Sequence, residues 1–233
     1  MKKLALFLVL VMVFVLSACV SNPTLSIPIT YQVLDANGNV TSTVTYIFEE
    51  GWQDKETFTI TYSDVNRGTV TVSDKCMIHR NANGPTTERY YDTQGRVIRE
   101  KIYYPDWEDS EVETLYTYDE YGRLLTTEKK SEGTSTVNTY AYTDTDTGSK
   151  GMYEEDGVIN ELHYDHSYRQ TTQVRRVVGS EFEIAILTET VYHEDGSISH
   201  FQYSQGKLFR ELRHYYTQET VSAETAARLP WFR

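Results

Sequence analysis

Hydrophobic and polar positions alternate along most of this chain. Phe58, Ile60 and Tyr62 share one parity, while Thr57, Thr59 and Thr61 hold the other. Val70 and Val72 alternate with Thr69, Thr71 and Ser73. Val112, Thr114, Tyr116 and Tyr118 run opposite Glu111, Glu113 and Thr117, and Tyr140 and Tyr142 keep the same rule. A period of two predicts strands with one face covered and one in water. Glu183-Ile184-Ala185-Ile186-Leu187 is apolar on both parities and predicts a central strand. Helix is predicted only at the C-terminus, where Ser222 can cap Ala223 to Leu229 and Pro230 stops it. The expectation is one all-β domain, residues 29–233: an antiparallel meander of repeated hairpins forming a curved sheet or open barrel, with a short C-terminal helix.

A search for internal repetition finds the frame "aromatic or leucine, polar, any, any, Gly, any, aliphatic" five times. The copies are Leu34 to Val40, Tyr91 to Val97, Tyr118 to Leu124, Tyr153 to Ile159 and Tyr192 to Ile198. Their glycines are Gly38, Gly95, Gly122, Gly157 and Gly196. Residues 62–70 form a looser copy, and 203–208 one a residue shorter. An aspartate at the first turn position can accept the backbone N–H two residues on, and glycine supplies a positive φ. The flanking tyrosine and aliphatic residue can pack across the two strands. Gly68, Gly95 and Gly122 are spaced by 27 residues. That interval fits two strands and two turns, so each copy predicts one hairpin.

The Tyr-Asp-x-x-Gly-Arg-Val/Leu form at Tyr91 to Val97 and Tyr118 to Leu124 resembles the YD repeat of RHS-type bacterial surface proteins. With the looser copies the resemblance covers residues 31 to 208. It implies a β-meander in a cell-surface setting. The large members wind into shells around toxins; this chain is too short to enclose a cargo domain, so no toxin function carries over.

The N-terminus changes the picture. Met1-Lys2-Lys3 precedes an unbroken apolar run from Leu4 to Leu16, 13 residues long. That is short of the roughly 20 needed to span a bilayer and right for a signal-peptide core. Leu16-Ser17-Ala18-Cys19 resembles the lipobox of bacterial lipoproteins, which implies cleavage after residue 18 and lipidation of Cys19. The expected segments are a signal peptide at 1–18, a tether at 19–28, and the β-domain. The setting implied is the cell membrane or outer membrane, lipid-anchored and facing the extracytoplasmic side. Removal of Lys2 and Lys3 leaves 20 basic against 34 acidic residues. That balance argues against nucleic acid as a partner. Lipidation of Cys19 would leave Cys76 as the remaining thiol, with no internal disulfide and the character of a small buried hydrophobe.

Little in the sequence points to catalysis. His163 and His166 form His-x-x-His, but i and i+3 point to opposite faces of a strand, so no metal site is expected. Asp144 to Gly148, with Glu155 eleven residues after Asp144, only faintly matches a calcium loop and is taken as an insertion loop between hairpins. Pro105 to Glu111 is an acidic loop around Trp107, a residue that could stack on a sugar, together with Trp52. No Gly-x-Ser-x-Gly, phosphate loop or dinucleotide fingerprint is present. The reading is therefore a non-enzymatic, cofactor-free binding or structural module. Its expected partners are the lipid bilayer, through acylated Cys19, and a glycan or envelope protein. Two alternatives stand beside it: a β-barrel-like carrier of an apolar ligand, and a carbohydrate-active enzyme.

Overall fold

The structure is a computed structural model and describes residues 22–107, 110–155, 157–179 and 186–232. Seventeen antiparallel strands form one meander: β1 Thr24–Asp35, β2 Val40–Phe48, β3 Phe58–Tyr62, β4 Thr69–Ser73, β5 Cys76–Arg80 and β6 Thr86–Tyr91. They continue as β7 Val97–Tyr103, β8 Val112–Tyr118, β9 Leu124–Ser131, β10 Thr134–Thr139, β11 Ala141–Thr145 and β12 Gly148–Glu155. The rest are β13 Val158–Tyr164, β14 Gln170–Val177, β15 Ile186–Tyr192, β16 Ile198–Ser204 and β17 Lys207–Thr220. Each strand pairs with the next, with one break between β10 and β11. In addition β1 pairs with both β2 and β17, joining the two ends of the chain.

Only Tyr140 separates β10 from β11, and the two act as one strand. Its first half pairs with β9 and its second half with β12. The result is a nearly closed barrel. Strand direction then sorts the connections. The start of β1, the end of β17 and the turns after β2, β4, β6, β8, β11, β13 and β15 lie at one end, here called proximal. The remaining connections lie at the distal end.

The C-terminal residues close the proximal end. Helix α1, Ala223–Arg228, is capped as its sequence predicts: the Ser222 side chain accepts from the Thr225 N–H. A 3-10 turn, Pro230–Phe232, follows. The Val221 N–H donates to Pro23 O, Thr225 Oγ1 to Gln53 O, Arg228 Nη1 to Lys55 O, and the Lys75 N–H to Arg228 O. Val221, Ala226, Leu229 and Phe232 are buried against Leu25, Ile27, Phe58, Ile60, Val70 and Val72. Burial of one large apolar side chain contributes about 1.5–3 kcal/mol, so this segment is a plug that ties five strands together. A second cluster of Tyr140, Leu162 and Tyr164 fills the wall near the seam.

The structure moves three boundaries. Thr24–Pro28 is strand rather than tether: Leu25 and Ile27 are buried, and the segment pairs with β17. Pro28, which lacks an N–H, sits where the register shifts, so the ladder tolerates it. Asp144 to Gly148 is the β11–β12 hairpin and not an insertion loop. Gly68 lies at the distal end, three strands before Gly95, so that 27-residue interval is not a hairpin repeat; the interval from Gly95 to Gly122 is. Of the segment expected to form a central strand, Ile186 and Leu187 begin β15, and Glu183 to Ala185 lie outside the described residues.

The repeat frame has a specific geometry. In Tyr91 to Val97, Asp92 Oδ1 accepts the Gln94 and Arg96 N–H groups at 2.8 and 3.0 Å, and Oδ2 accepts Arg96 Nε at 2.7 Å. The Gly95 N–H donates to Asp92 O. Asp119, Tyr121 and Arg123 repeat this arrangement. So do Asp165, Ser167 and Arg169, although Tyr168 (φ 58°) stands where the other copies have glycine. Each arginine aimed in this way covers a tyrosine farther along the meander. Arg96 lies 4.7 Å from the Tyr118 ring, Arg123 4.3 Å from Tyr142 and Arg169 4.7 Å from Tyr192. The same three tyrosines donate their hydroxyls to Val97 O, Leu124 O and Gln170 O, each the residue after its arginine. A cation–π contact and a hydrogen bond per step contribute on the order of 1–3 kcal/mol together.

Gly95 and Gly122 share this turn but differ in surroundings. Both have positive φ, near 81° and 83°. A Cβ at Gly95 would sit on the Pro230 carbonyl, whereas one at Gly122 meets only Arg96 Nη1 at 3.7 Å. Gly122→Ala should therefore cost about 1 kcal/mol of backbone strain. Gly95→Ala should cost at least about 2 kcal/mol, since it also displaces the plug. Chemical denaturation of both variants checks this; equal losses would mean the plug is not seated on that turn.

Candidate functional site

The barrel wall is two-faced, and cross-strand pairing shows which residues share a face. Val72, Met77, Arg89, Glu100 and Thr114 are paired in sequence across β4 to β8. Ile60, Val70 and His79 form a parallel row one step along. Because Phe58, Ile60, Val70 and Val72 receive the plug, this is the inner face. Tyrosine dominates it. Tyr31 contacts Tyr46 at 6.0 Å and Tyr46 contacts Tyr62 at 5.3 Å, while His79 packs on Tyr62.

Beneath the plug the inner face forms a half-open cavity of about 320 Å³. Its apolar side is Pro28, Ile60, Val70, Met77 and Phe232, with the Trp231 ring at the plug. Its polar side is Tyr46, Tyr62, His79, Arg89, His214 and Tyr216. Trp231 is held by a stacked contact with Tyr91, ring centroids 4.4 Å apart. The volume is at the low end of the range for small-molecule sites.

The polar groups are fixed in different ways. Arg89 donates Nε to Glu100 Oε2 at 2.6 Å. His79 Nε2 donates to Arg67 O at 2.8 Å, which sets its tautomer. Burial pushes the Tyr46, Tyr62 and Tyr216 phenols above their usual range, so at neutral pH all three stay protonated and can donate. Burial also holds His214 down, to about 4, with a smaller contribution from neighbouring His200 at 5.6 Å.

The residues expected to matter from sequence are scattered. Trp52 is 7% exposed and packs among Phe48 and Phe58, so it is a core residue and offers no ligand a face. Trp107 is 70% exposed at the distal end, edge-on to Tyr104. The two tryptophans lie at opposite ends of the barrel and share no site. Gly38, Gly95, Gly122, Gly157 and Gly196 all occupy turns with positive φ. His163 is held by Glu161, while His166 Nε2 bonds Asp146 O, so the pair does not converge. Glu161, 3% exposed, is occupied by Lys150 at 2.8 Å as well as by His163. Among the described residues no group of three metal-ligating side chains comes together. Cys76 is a free, buried thiol, and burial raises its pKa. Cys19 lies outside the described residues.

The sequence marked Ile60, Tyr62 and Val70 as the covered face of their strands but singled out no cavity residue as part of a site. The cavity residues come from seven strands and the plug, spaced from residue 28 to residue 232. The one signal was parity: Tyr62, Val70 and His79 continue the apolar face of their strands.

No protein-family model matches the chain, and no curated protein does. Sixteen chains of solved structures show some likeness, and two of them are these. One is a porin-like protein from Bacteroides uniformis, 10% identical, with a TM-score of 0.42, covering 82% of this chain and 97% of that one. The other is a protein of unknown function from the DUF3598 family of Nostoc punctiforme, 9% identical, with a TM-score of 0.21, covering 86% and 96%. At those scores neither bears on the reading that follows.

The His214 environment makes a pH prediction. Its folded pKa is about 4 against an ordinary 6.5, so between these values the unfolded chain binds more protons than the folded one. Stability is therefore lost as pH falls from about 6.5 to about 4. Thermal melts across that window should show a steeper decline for the parent than for His214→Gln; parallel curves would contradict the buried neutral imidazole.

Proposed function

We propose that this protein is an exported, lipid-anchored β-barrel that binds a small amphipathic molecule in its interior. The observation that carries the reading is the cavity beneath the plug. It is half open, its lining is half apolar and half able to hydrogen-bond through Tyr46, Tyr62, Tyr216 and their polar neighbours, and it lies next to a buried core that fixes its shape. Interior polar residues of this kind orient a ligand whose body is apolar. The reading favours a carrier or receptor over an enzyme. Among the residues that line the cavity there is no thiol, and the free thiol of Cys76 is buried, with its pKa raised rather than lowered.

The anchor fits this arrangement. Strand β1 begins at the proximal end, the end the plug closes. A lipid on Cys19 would set that end toward the bilayer and leave the distal hairpins facing away. Trp107 would then be presented outward, available to a glycan or envelope protein as a second, weaker contact.

Two tests follow. A neutral, environment-sensitive dye such as N-phenyl-1-naphthylamine should bind saturably at one site, and Val70→Phe, which fills the cavity, should weaken it by at least about tenfold, the loss of roughly 1.4 kcal/mol. Unchanged dye binding in a folded Val70→Phe variant would sink the interior site. Separately, metabolic labelling with a fatty-acid analogue should mark the wild type and leave Cys19→Ala unlabelled; equal label on both would refute the anchor.

A further inference from the structure

The cavity has a one-sided charge pattern that narrows what it holds. The chain carries 34 acidic against 22 basic residues, yet no carboxylate is among the residues that line the cavity. What faces it instead is a guanidinium, two imidazoles and three phenols. Arg89 uses its Nε on Glu100, and its two Nη groups have no protein acceptor among the described residues. Its side chain is 47% exposed although it stands on the inner face. Glu100, at 16%, is the better buried partner and is not part of the lining. The carboxylate thus fixes the planar fork along its Nε edge, from the neighbouring strand, and leaves the Nη edge without a protein partner among the described residues.

We infer that the ligand is a small monocarboxylate with an apolar body, its anionic end on the free edge of Arg89 and its body along Ile60, Val70, Met77 and Phe232. This rests on the interior-binding reading above and deepens it. Guanidinium and carboxylate match in geometry, two parallel N–H···O bonds, and with Nε on Glu100 the Nη edge of Arg89 is the one that can offer them. A phosphate would bring nearly two charges to a site with one cation and no lysine. The phenols of Tyr46, Tyr62 and Tyr216 make no hydrogen bond to protein among the described residues, and each can donate to the same oxygens. A cationic ligand meets no acidic lining group.

The experiment is a calorimetric titration of the full chain with three probes of one shape: 4-phenylbutyrate, 4-phenylbutanol and 4-phenylbutylamine. The carboxylate is expected to bind about tenfold tighter than the alcohol, the worth of one charge-assisted hydrogen bond, with the amine weakest. Arg89→Gln combined with Glu100→Gln removes both charges while keeping the polar pair. It should bring the carboxylate down to the affinity of the alcohol and leave the alcohol unchanged. Arg89→Lys, which keeps the charge and loses the fork, should retain a reduced preference. Binding of the alcohol as tightly as the carboxylate by wild type would overturn the carboxylate assignment and leave the interior site standing. Binding of none of the three would overturn both.

Discussion

An arginine laid over a tyrosine ring, with that tyrosine's hydroxyl on the carbonyl of the residue after the arginine, holds the proximal end of this barrel together. It recurs from Arg96 to Tyr118, from Arg123 to Tyr142 and from Arg169 to Tyr192. Strand pairing alone would leave the ends of a large meander free to splay. The interlock joins each turn to a strand farther along the sheet. It also accounts for the turns that carry aspartate and arginine four residues apart, at Asp92, Asp119 and Asp165. The aspartate accepts two backbone N–H groups and aims the arginine, the positive-φ residue closes the turn, and Tyr118 and Tyr192, each just before a turn, receive an arginine from an earlier one. Hydrogen bonds hold the Asp92 and Asp165 carboxyls below their usual range, outweighing the burial that acts first to raise them. The middle step matters most, because Tyr142 belongs to the strand that spans the seam between β9 and β12.

That framework sets where chemistry can occur. With the proximal end closed by the plug, the inner face brings polar and apolar groups together around one half-open pocket. The plug provides part of that pocket, since Trp231 and Phe232 line the cavity and also pack against the turn and the core. Ligand binding and barrel stability therefore share residues, and the shape of the cavity depends on residues 221–232 being seated.

Much of the fold was legible because its determinants are local. Period-two alternation gave the strands, Ser222 and Pro230 bounded the helix, and aspartate–glycine chemistry located the turns. What is not local was hidden. Closure depends on β1 meeting β17 and on β10 and β11 acting as one strand, and neither leaves a mark in sequence. One turn was missed because Tyr168 replaces glycine; the spacing of Asp165 and Arg169, four residues as in Asp92 and Arg96, was the signal. A non-glycine residue at φ 58° costs about 1 kcal/mol, and stacking on Tyr121 at 4.9 Å offsets it. The candidate site was invisible for the same reason as closure: Tyr46, Arg89 and His214 meet only once the strands are paired. Exposed tryptophan was a poor guide. Trp52 turned inward because its neighbours Phe48 and Phe58 offered a larger apolar surface than water did.

The account stands most directly on the interlock at the seam, and a double-mutant cycle between Arg123 and Tyr142 measures it. Arg123→Met, Tyr142→Leu and the double variant would be compared by chemical denaturation. If the contact closes the barrel, the two substitutions couple by about 1–2 kcal/mol. Additivity within about 0.5 kcal/mol would show that the seam is held by strand pairing alone and would contradict the account.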